Sequence, residues 1–276
     1  MLGRRGIYNL SYLSYTGAPR PGEERMKRIL SIALAAASAS AAFADPNYFN
    51  LSSGTFMQDW SNTDLITVND DWSGVPSIMG FLGRDDTQSV TGVDPRTILG
   101  DLAEVDVIAN QTNPNTLTNG GVAEFHITNP TIALNGSGMA DAPGIVLYMN
   151  AANRINVTLS LDLIDLDGST DNAIQQVAVQ YRIGDAGLFA NVPGGYVADA
   201  TQGPSLSGQV TNLTLSMPEW SGVSNLQLRV LTTNAVGNDE WVGIDNIMVS
   251  SQPVPEPATL LALTAGLAAL LARRRR

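Results

Sequence analysis

The sequence predicts an all-β protein, an antiparallel β-sandwich (jelly roll), on three observations. Apolar residues alternate with polar ones at period two in several runs of six to eleven residues, the signature of half-buried strands. Glycine, proline, asparagine and aspartate cluster between those runs, as turns require. Between residues 45 and 252 almost no stretch repeats at the helical period, which argues against an α/β fold.

Residues 1–25 are mostly polar and include Arg4, Arg5, Pro19, Pro21, Glu23 and Glu24. They are expected to be an upstream extension, with Met26 as the true initiator. The codons for Gly22-Glu23-Glu24 are purine-rich, as a bacterial ribosome-binding run is. From Met26 the chain reads as a secretory signal helix over residues 26–44. Met26-Lys27-Arg28 is basic, Ile29 to Ala42 is apolar, and Ala42-Phe43-Ala44 satisfies the small-x-small rule for signal peptidase. Asp45 should therefore begin the exported chain.

Residues 45–252 are expected to form one sandwich domain. Its first part is irregular, with short candidate strands at Val122–Ile127 and Ile145–Met149 among long polar stretches such as NQTNPNTLTNGG. The clearest strand is INVTLSLDLID, where Ile155, Val157, Leu159, Leu161 and Leu163 share one face and Asn156, Thr158, Ser160 and Asp162 the other. Val177, Val179, Tyr181 and Ile183 alternate in the next run, and the Asp/Gly/Ser/Asn loop between the two predicts a hairpin. Val210–Met217, Leu226–Leu231 and Trp241–Val249 continue the pattern. Short strands at this spacing predict a sandwich rather than a parallel sheet.

Residues 253–276 are a different kind of sequence. Val254-Pro255-Glu256-Pro257 leads into an uncharged Leu- and Ala-rich stretch, Ala258 to Ala272, and then into Arg273 to Arg276. As a helix the stretch extends about 22 Å, short of a hydrocarbon core of roughly 30 Å. Arginines that snorkel to the headgroups extend its reach and mark the cytoplasmic side. A buried core helix is the competing reading, but four consecutive arginines could not follow it into a core. The C-terminal apolar helix is thus expected to be a membrane anchor.

Charge narrows the function classes. Residues 45–252 hold five arginines, no lysine and 23 acidic residues, a formal charge of −18. Such a surface repels phosphates and anionic lipids, so no nucleic-acid partner is expected. It suits divalent cations. The chain has no cysteine, which removes disulfides, thiol chemistry and Cys-based zinc sites.

Two candidate ligand chemistries follow. LDLIDLDGSTDN places Asp162, Asp165, Asp167 and Asp171 within ten residues, and Asp165-x-Asp167-Gly168 resembles the start of a calcium loop, although its glycine comes early and no glutamate closes it. A solvated Asp-rich turn has the same composition, as does Asp239-Glu240 farther on. Among Trp60, Trp72, Trp220 and Trp241, Trp220 lies in the loop MPEWSG, where an exposed indole would stack on a sugar ring; filling the core is the competing role for all four. Catalysis has little support. His126 is the single histidine, there is no Gly-x-Ser-x-Gly elbow, Walker loop or HExxH, and two carboxylates for glycoside hydrolysis cannot be picked out of 23.

Two resemblances add to this reading. The tail resembles the PEP-CTERM sorting signal of Gram-negative bacteria, with Pro255, Glu256 and Pro257 as its motif. That resemblance implies an exosortase-type processing enzyme as a partner, transient anchoring in the inner membrane, and then release or attachment at the cell surface, often among matrix- and biofilm-forming bacteria. Val179 to Val249 resembles the jelly-roll segment of secreted bacterial proteins and carbohydrate-binding-like sandwiches. It implies a structural calcium helped by Asp245 of the GIDN stretch. The expected protein is a non-catalytic, surface-sorted sandwich that binds extracellular polysaccharide and calcium. A secreted glycan hydrolase and a ligand-free structural protein are the alternatives.

Overall fold

Alternation along the chain becomes two stacked sheets in the computed structural model, which describes residues 47–83, 91–168, 173–203, 207–256 and 273. The described strands are β1 (Phe49–Asn50), β2 (Phe56–Gln58), β3 (Ile78–Phe81), β4 (Ile108–Gln111), β5 (Gly121–Phe125), β6 (Thr131–Asn135), β7 (Gly144–Asn150), β8 (Arg154–Asp165), β9 (Val177–Ile183), β10 (Ala190–Val197), β11 (Val210–Ser216), β12 (Leu226–Thr232) and β13 (Val242–Pro253). One sheet runs β1-β7-β12-β9-β10, with β3 sharing an edge of β7. The other runs β11-β8-β13-β6-β5-β4, with β2 also on β13.

The core follows from the alternation. Val157, Leu159, Leu161 and Leu163 of β8 and Ile244, Ile247 and Val249 of β13 face Leu226, Leu228 and Val230 of β12, all essentially inaccessible and in one cluster. Burying each such side chain stabilises the fold by roughly 1.5–3 kcal/mol. The opposite side of β8 carries Thr158, Ser160 and Asp162 at the surface.

Two expectations need correction. The sandwich is mixed rather than antiparallel: β1 pairs with β7, and β4 with β5, in parallel. β8 and β9 are not a hairpin, because β8 pairs with β11 and β13 while β9 pairs with β10 and β12 in the other sheet. The turn signal after β8 was real, but it carries the chain across the sandwich. The signal helix and the C-terminal apolar helix lie outside the described residues, and among those described no helix is long and apolar enough to cross a membrane.

Candidate functional site

At one end of the sandwich four connections enclose a cavity of about 500 Å³. They are the 3-10 turn Pro114–Thr116, the turn after β6, the end of β8, and the link from β12 to β13. Each is fixed locally. The Asn113 side chain caps the 3-10 turn by accepting the Asn115 N–H, with Pro114 in the first turn where no N–H is needed. The Asn115 side chain then accepts the Gly168 N–H at 2.9 Å, tying that turn to the end of β8. Trp241 forms part of the wall, its indole N–H donating to the Leu117 carbonyl and its ring edge-on to Phe125 at 5.2 Å. Gly136 is required by close approach, since a Cβ there would lie 2.4 Å from Asn234 Cα.

The polar lining is carboxylate, amide and hydroxyl: Asp167 and Asp239 with Asn115, Asn135, Asn234 and Ser137. Among the described residues, no lysine, arginine or histidine lines it. Asp239 Oδ1 accepts the Ala235 N–H at 2.6 Å, and burial pushes the carboxyl up to about 6. Just behind the wall, Asp165 is 1% exposed. Its Oδ1 accepts the Asp167 N–H, and its buried Oδ2 has no hydrogen-bond partner among the described residues. Burial raises this carboxyl to about 6 as well, with the charges of Asp167 and Asp199 adding to the effect.

The acidic residues picked from the sequence do not converge. Period two puts Asp162 on the outer face of β8 and Asp165 on the inner side. Asp162 accepts side-chain amide N–H groups from Asn212 at 2.5 Å and Asn246 at 2.8 Å. Asp245 accepts the Asn129 amide and the Asn246 N–H, each at 2.7 Å. Amides thus occupy both oxygens of each, and neither residue joins Asp165 and Asp167 in a shared site. Asp171 lies outside the described residues. Among those described, no three acidic or histidine side chains are grouped to hold a metal.

Trp220 is also corrected. It is 0% exposed, on the 3-10 turn Pro218–Trp220, with its ring edge-on to Tyr181 at 6.0 Å. The loop folds the indole inward between the sheets, so it offers no stacking platform. Trp60, Trp72 and Trp241 are buried too. His126 sits beside Glu124, Nε2 to Oε2 2.9 Å, and Glu124 also accepts the Asn110 N–H. Through the Asn110 N–H, Glu124 ties β5 to β4.

A second polar concentration lies outside the core, on the far face of β9 and β12. A strap of residues 92–100 crosses it and hands its carbonyls to the sheet's side chains. Arg229 donates to the carbonyls of Ile98 and Gly100, each at 2.6 Å, and to Gln180 Oε1. Phe189 lies under both guanidiniums, 3.8 Å from Arg229 and 4.3 Å from Arg182. Arg182 pairs with Asp101 at 2.6 Å and bonds Gln227. The alternation missed this face because β12 reads as half-exposed, although all seven of its residues are buried.

Of the sorting motif, Pro255 and Glu256 follow β13 in an exposed, extended segment, with the Val254 N–H bonded to the Asn153 carbonyl. Pro257, like Ala42 and Ala44, lies outside the described residues. The family model of the PEP-CTERM protein-sorting motif matches residues 253–276. No curated protein matches the chain by sequence. In fold it is similar to the K1 cleaved adhesin domain of Lys-gingipain from Porphyromonas gingivalis, at 14% identity over 72% of this chain and 98% of that one, TM-score 0.38. It is similar also to a carbohydrate-binding module specific for non-crystalline cellulose, at 10% identity over 52% of this chain and 98% of that one, TM-score 0.33. A Caldicellulosiruptor saccharolyticus carbohydrate-binding module, solved with mannohexaose, is 12% identical over 51% of this chain and 88% of that one, TM-score 0.32.

Proposed function

We propose that this exported chain, delivered to the cell surface through its PEP-CTERM motif and an exosortase, acts there as a non-catalytic polysaccharide-binding sandwich of the extracellular matrix. The observation that carries this reading is the cavity. Its volume of about 500 Å³ falls within the roughly 300–1,000 Å³ of small-ligand sites. Asparagine amides each donate and accept, as successive sugar hydroxyls require, and the Trp241 and Leu117 side adds an apolar wall. Anchoring in the inner membrane before processing belongs to the same proposal, as does a role in biofilm. The exposed segment at Val254–Glu256 gives a processing enzyme access to the motif.

A glycan-array screen of the full chain, kept soluble in mild detergent, tests the reading. Binding without release of new reducing ends is expected, and silence across neutral, amino and acidic glycans overturns it.

A hydrolase is the second reading, favoured by one observation: Asp167 and Asp239 share the cavity, and Asp239 is raised to about 6, in the range a general acid needs. Release of reducing ends that disappears in Asp239→Asn would establish it.

Calcium is proposed at the end of β8 alone. The buried Asp165 carboxylate, with Oδ2 lacking a hydrogen-bond partner among the described residues, and the neighbouring Asp167 supply the hard oxygens a calcium ion takes. An ion that prefers the native state raises its stability. Millimolar calcium against chelator should therefore raise Tm at pH 7.5, and Asp165→Asn should remove the rise. An unchanged Tm rejects the site.

A further inference from the structure

We propose that the free edge of β11 is a self-association surface, on which the same strand of a second copy of this chain pairs antiparallel across a twofold axis. This stands independently of the polysaccharide-binding reading. An edge strand presents a row of unpaired backbone N–H and C=O groups, and folded proteins guard such edges. The described edges of this sandwich are guarded, with one exception. β10 holds Pro193 and breaks register between Asn191 and Tyr196. The outer side of β4 is covered by residues 67–70, where Asn69 accepts the Ala109 N–H and the Asn110 side-chain amide donates to the Thr67 carbonyl. β3 is covered in the same way, with the Asp106 N–H on the Gly80 carbonyl and the Leu82 N–H on the Glu104 carbonyl. β1 and β2 span only two and three residues. β11 has none of these protections. It runs for seven residues, VTNLTLS, in unbroken register with β8 and without proline or charge, and among the described residues no strand pairs with its other side.

The phase of the edge follows from its first contact. The Asp165 N–H donates to the Gln209 carbonyl, so odd-numbered residues of β11 turn their backbone groups to β8, while Val210, Asn212, Thr214 and Ser216 turn theirs outward. All four are exposed. Such an edge takes an extended strand, and charge selects which one. Residues 45–252 carry a formal charge of −18, so two copies repel over most of their surfaces and meet best along an uncharged strip, which β11 is. Self-pairing centred on Leu213 uses the whole strand and matches like with like. Leu213 then lies opposite its own counterpart, Thr211 opposite Leu215, Asn212 opposite Thr214 and Val210 opposite Ser216, and all four outward residues gain backbone partners. Leu213, half-buried against the core, gains further cover. Seven residues span about 23 Å, and one strand pair buries less than the roughly 1,200 Å² of a stable interface. The dimer is therefore weak and dependent on chain concentration.

Cysteine cross-linking of the full chain in mild detergent tests the register, because the chain has no cysteine of its own. In Leu213→Cys the two thiols face each other across the axis with Cβ atoms about 5 Å apart, within reach of a disulfide. In Thr211→Cys, at an equally half-buried position, the thiol faces Leu215 and its own counterpart lies roughly 14 Å away. Under a mild oxidant at submillimolar chain concentration, Leu213→Cys should form the linked dimer about tenfold or more faster than Thr211→Cys. Thr214→Pro supplies a second test. It removes an outward N–H that β8 does not use, and an edge strand tolerates proline there, so the fold survives while pairing is blocked. Sedimentation of the parent should show a dimer that grows with chain concentration and with added salt, which screens the repulsion, and Thr214→Pro should weaken it about tenfold or more. A parent that stays monomeric overturns the proposal and leaves the edge to a strand of another protein. Equal cross-linking of the two cysteine variants means random collision and overturns it too. So does a dimer unchanged by Thr214→Pro, which would place the contact elsewhere, as in the apolar stretch Ala258 to Ala272. Should Thr214→Pro fail to fold, the two cysteine variants decide alone.

Discussion

Arg229 carries a full charge to a place where its side chain is 0% exposed. Desolvation pulls its pKa down to about 9, so the guanidinium is still charged at neutral pH, and its hydrogen bonds must offset the loss of water. They are the two strap carbonyls and Gln180, with Phe189 beneath the plane of the group. Arg229→Met would keep most of the volume but leave those three acceptors without this donor. At about 1–3 kcal/mol for each buried group left unsatisfied, with relaxation recovering part, a loss of roughly 3 kcal/mol is expected. Arg229→Lys should recover little, because one ammonium cannot span three acceptors set out for a planar fork. Urea unfolding checks both: the midpoint should fall with an unchanged slope, and a Met variant as stable as the parent would show that the strap is held by its other contacts. None of this was legible in LQLRVL, where Arg229 reads as a surface residue. The strap that covers it is distant in sequence and has no periodic pattern.

β13 is the element on which the seven-stranded sheet depends, with β8 along one side and β6 and β2 sharing the other. Its pairing with β8 breaks register between Asp245 and Met248, and Asn246 sits in the break with φ 50. A bulge of this kind needs a residue that tolerates the left-handed region, and asparagine does so better than any branched side chain. Asn246→Val should cost about 2 kcal/mol, from the strained φ together with the lost amide contact to Asp162. Asn246→Gly should relieve the strain but still lose that contact, so its unfolding midpoint should fall between those of parent and Val variant. A Val variant as stable as the parent would mean that the bulge can slide. Long regular strands such as β8, β11 and β12 were legible because one face was apolar and the other polar. β6 was not, since TIALN is buried on both faces and shows no alternation. β10 was not either: Pro193, Gly194 and Gly195 read as a turn, whereas the strand absorbs them in a register shift between Asn191 and Tyr196. The cavity was half visible. Asp167 was singled out for its carboxylate, but Asn115, Asn135 and Asn234 belong to separate stretches of chain that only the closed sandwich brings together.

Across the whole molecule, acidity links composition to stability. Burial raises Asp106, Asp165 and Asp239 each to about 6, above the roughly 3.9 of an aspartate in the unfolded chain. Between those values the native state holds protons that the unfolded state has released, so stability falls as pH rises from about 4 through about 6. Self-repulsion among 23 acidic residues against five arginines over residues 45–252 acts in the same direction, because it grows as carboxyls ionise. At lower pH the balance reverses. The Arg96 side chain holds Asp94 below the ordinary carboxylate range, and the Tyr48 hydroxyl does the same for Asp185; protonating these groups forfeits their contribution. A stability maximum near pH 4 follows, with Tm there about 5 °C or more above its value at pH 7.5 in the presence of chelator. Asp165→Asn separates the buried groups from general charge, since it removes one raised carboxyl while making the net charge less negative by a single unit. If buried carboxyls set the slope, this variant gains Tm at pH 7.5, shows little change at pH 4 and flattens the profile. Asp71→Asn, which removes an exposed carboxylate, should leave the profile unchanged; equal flattening by both variants would assign the pH dependence to surface repulsion instead.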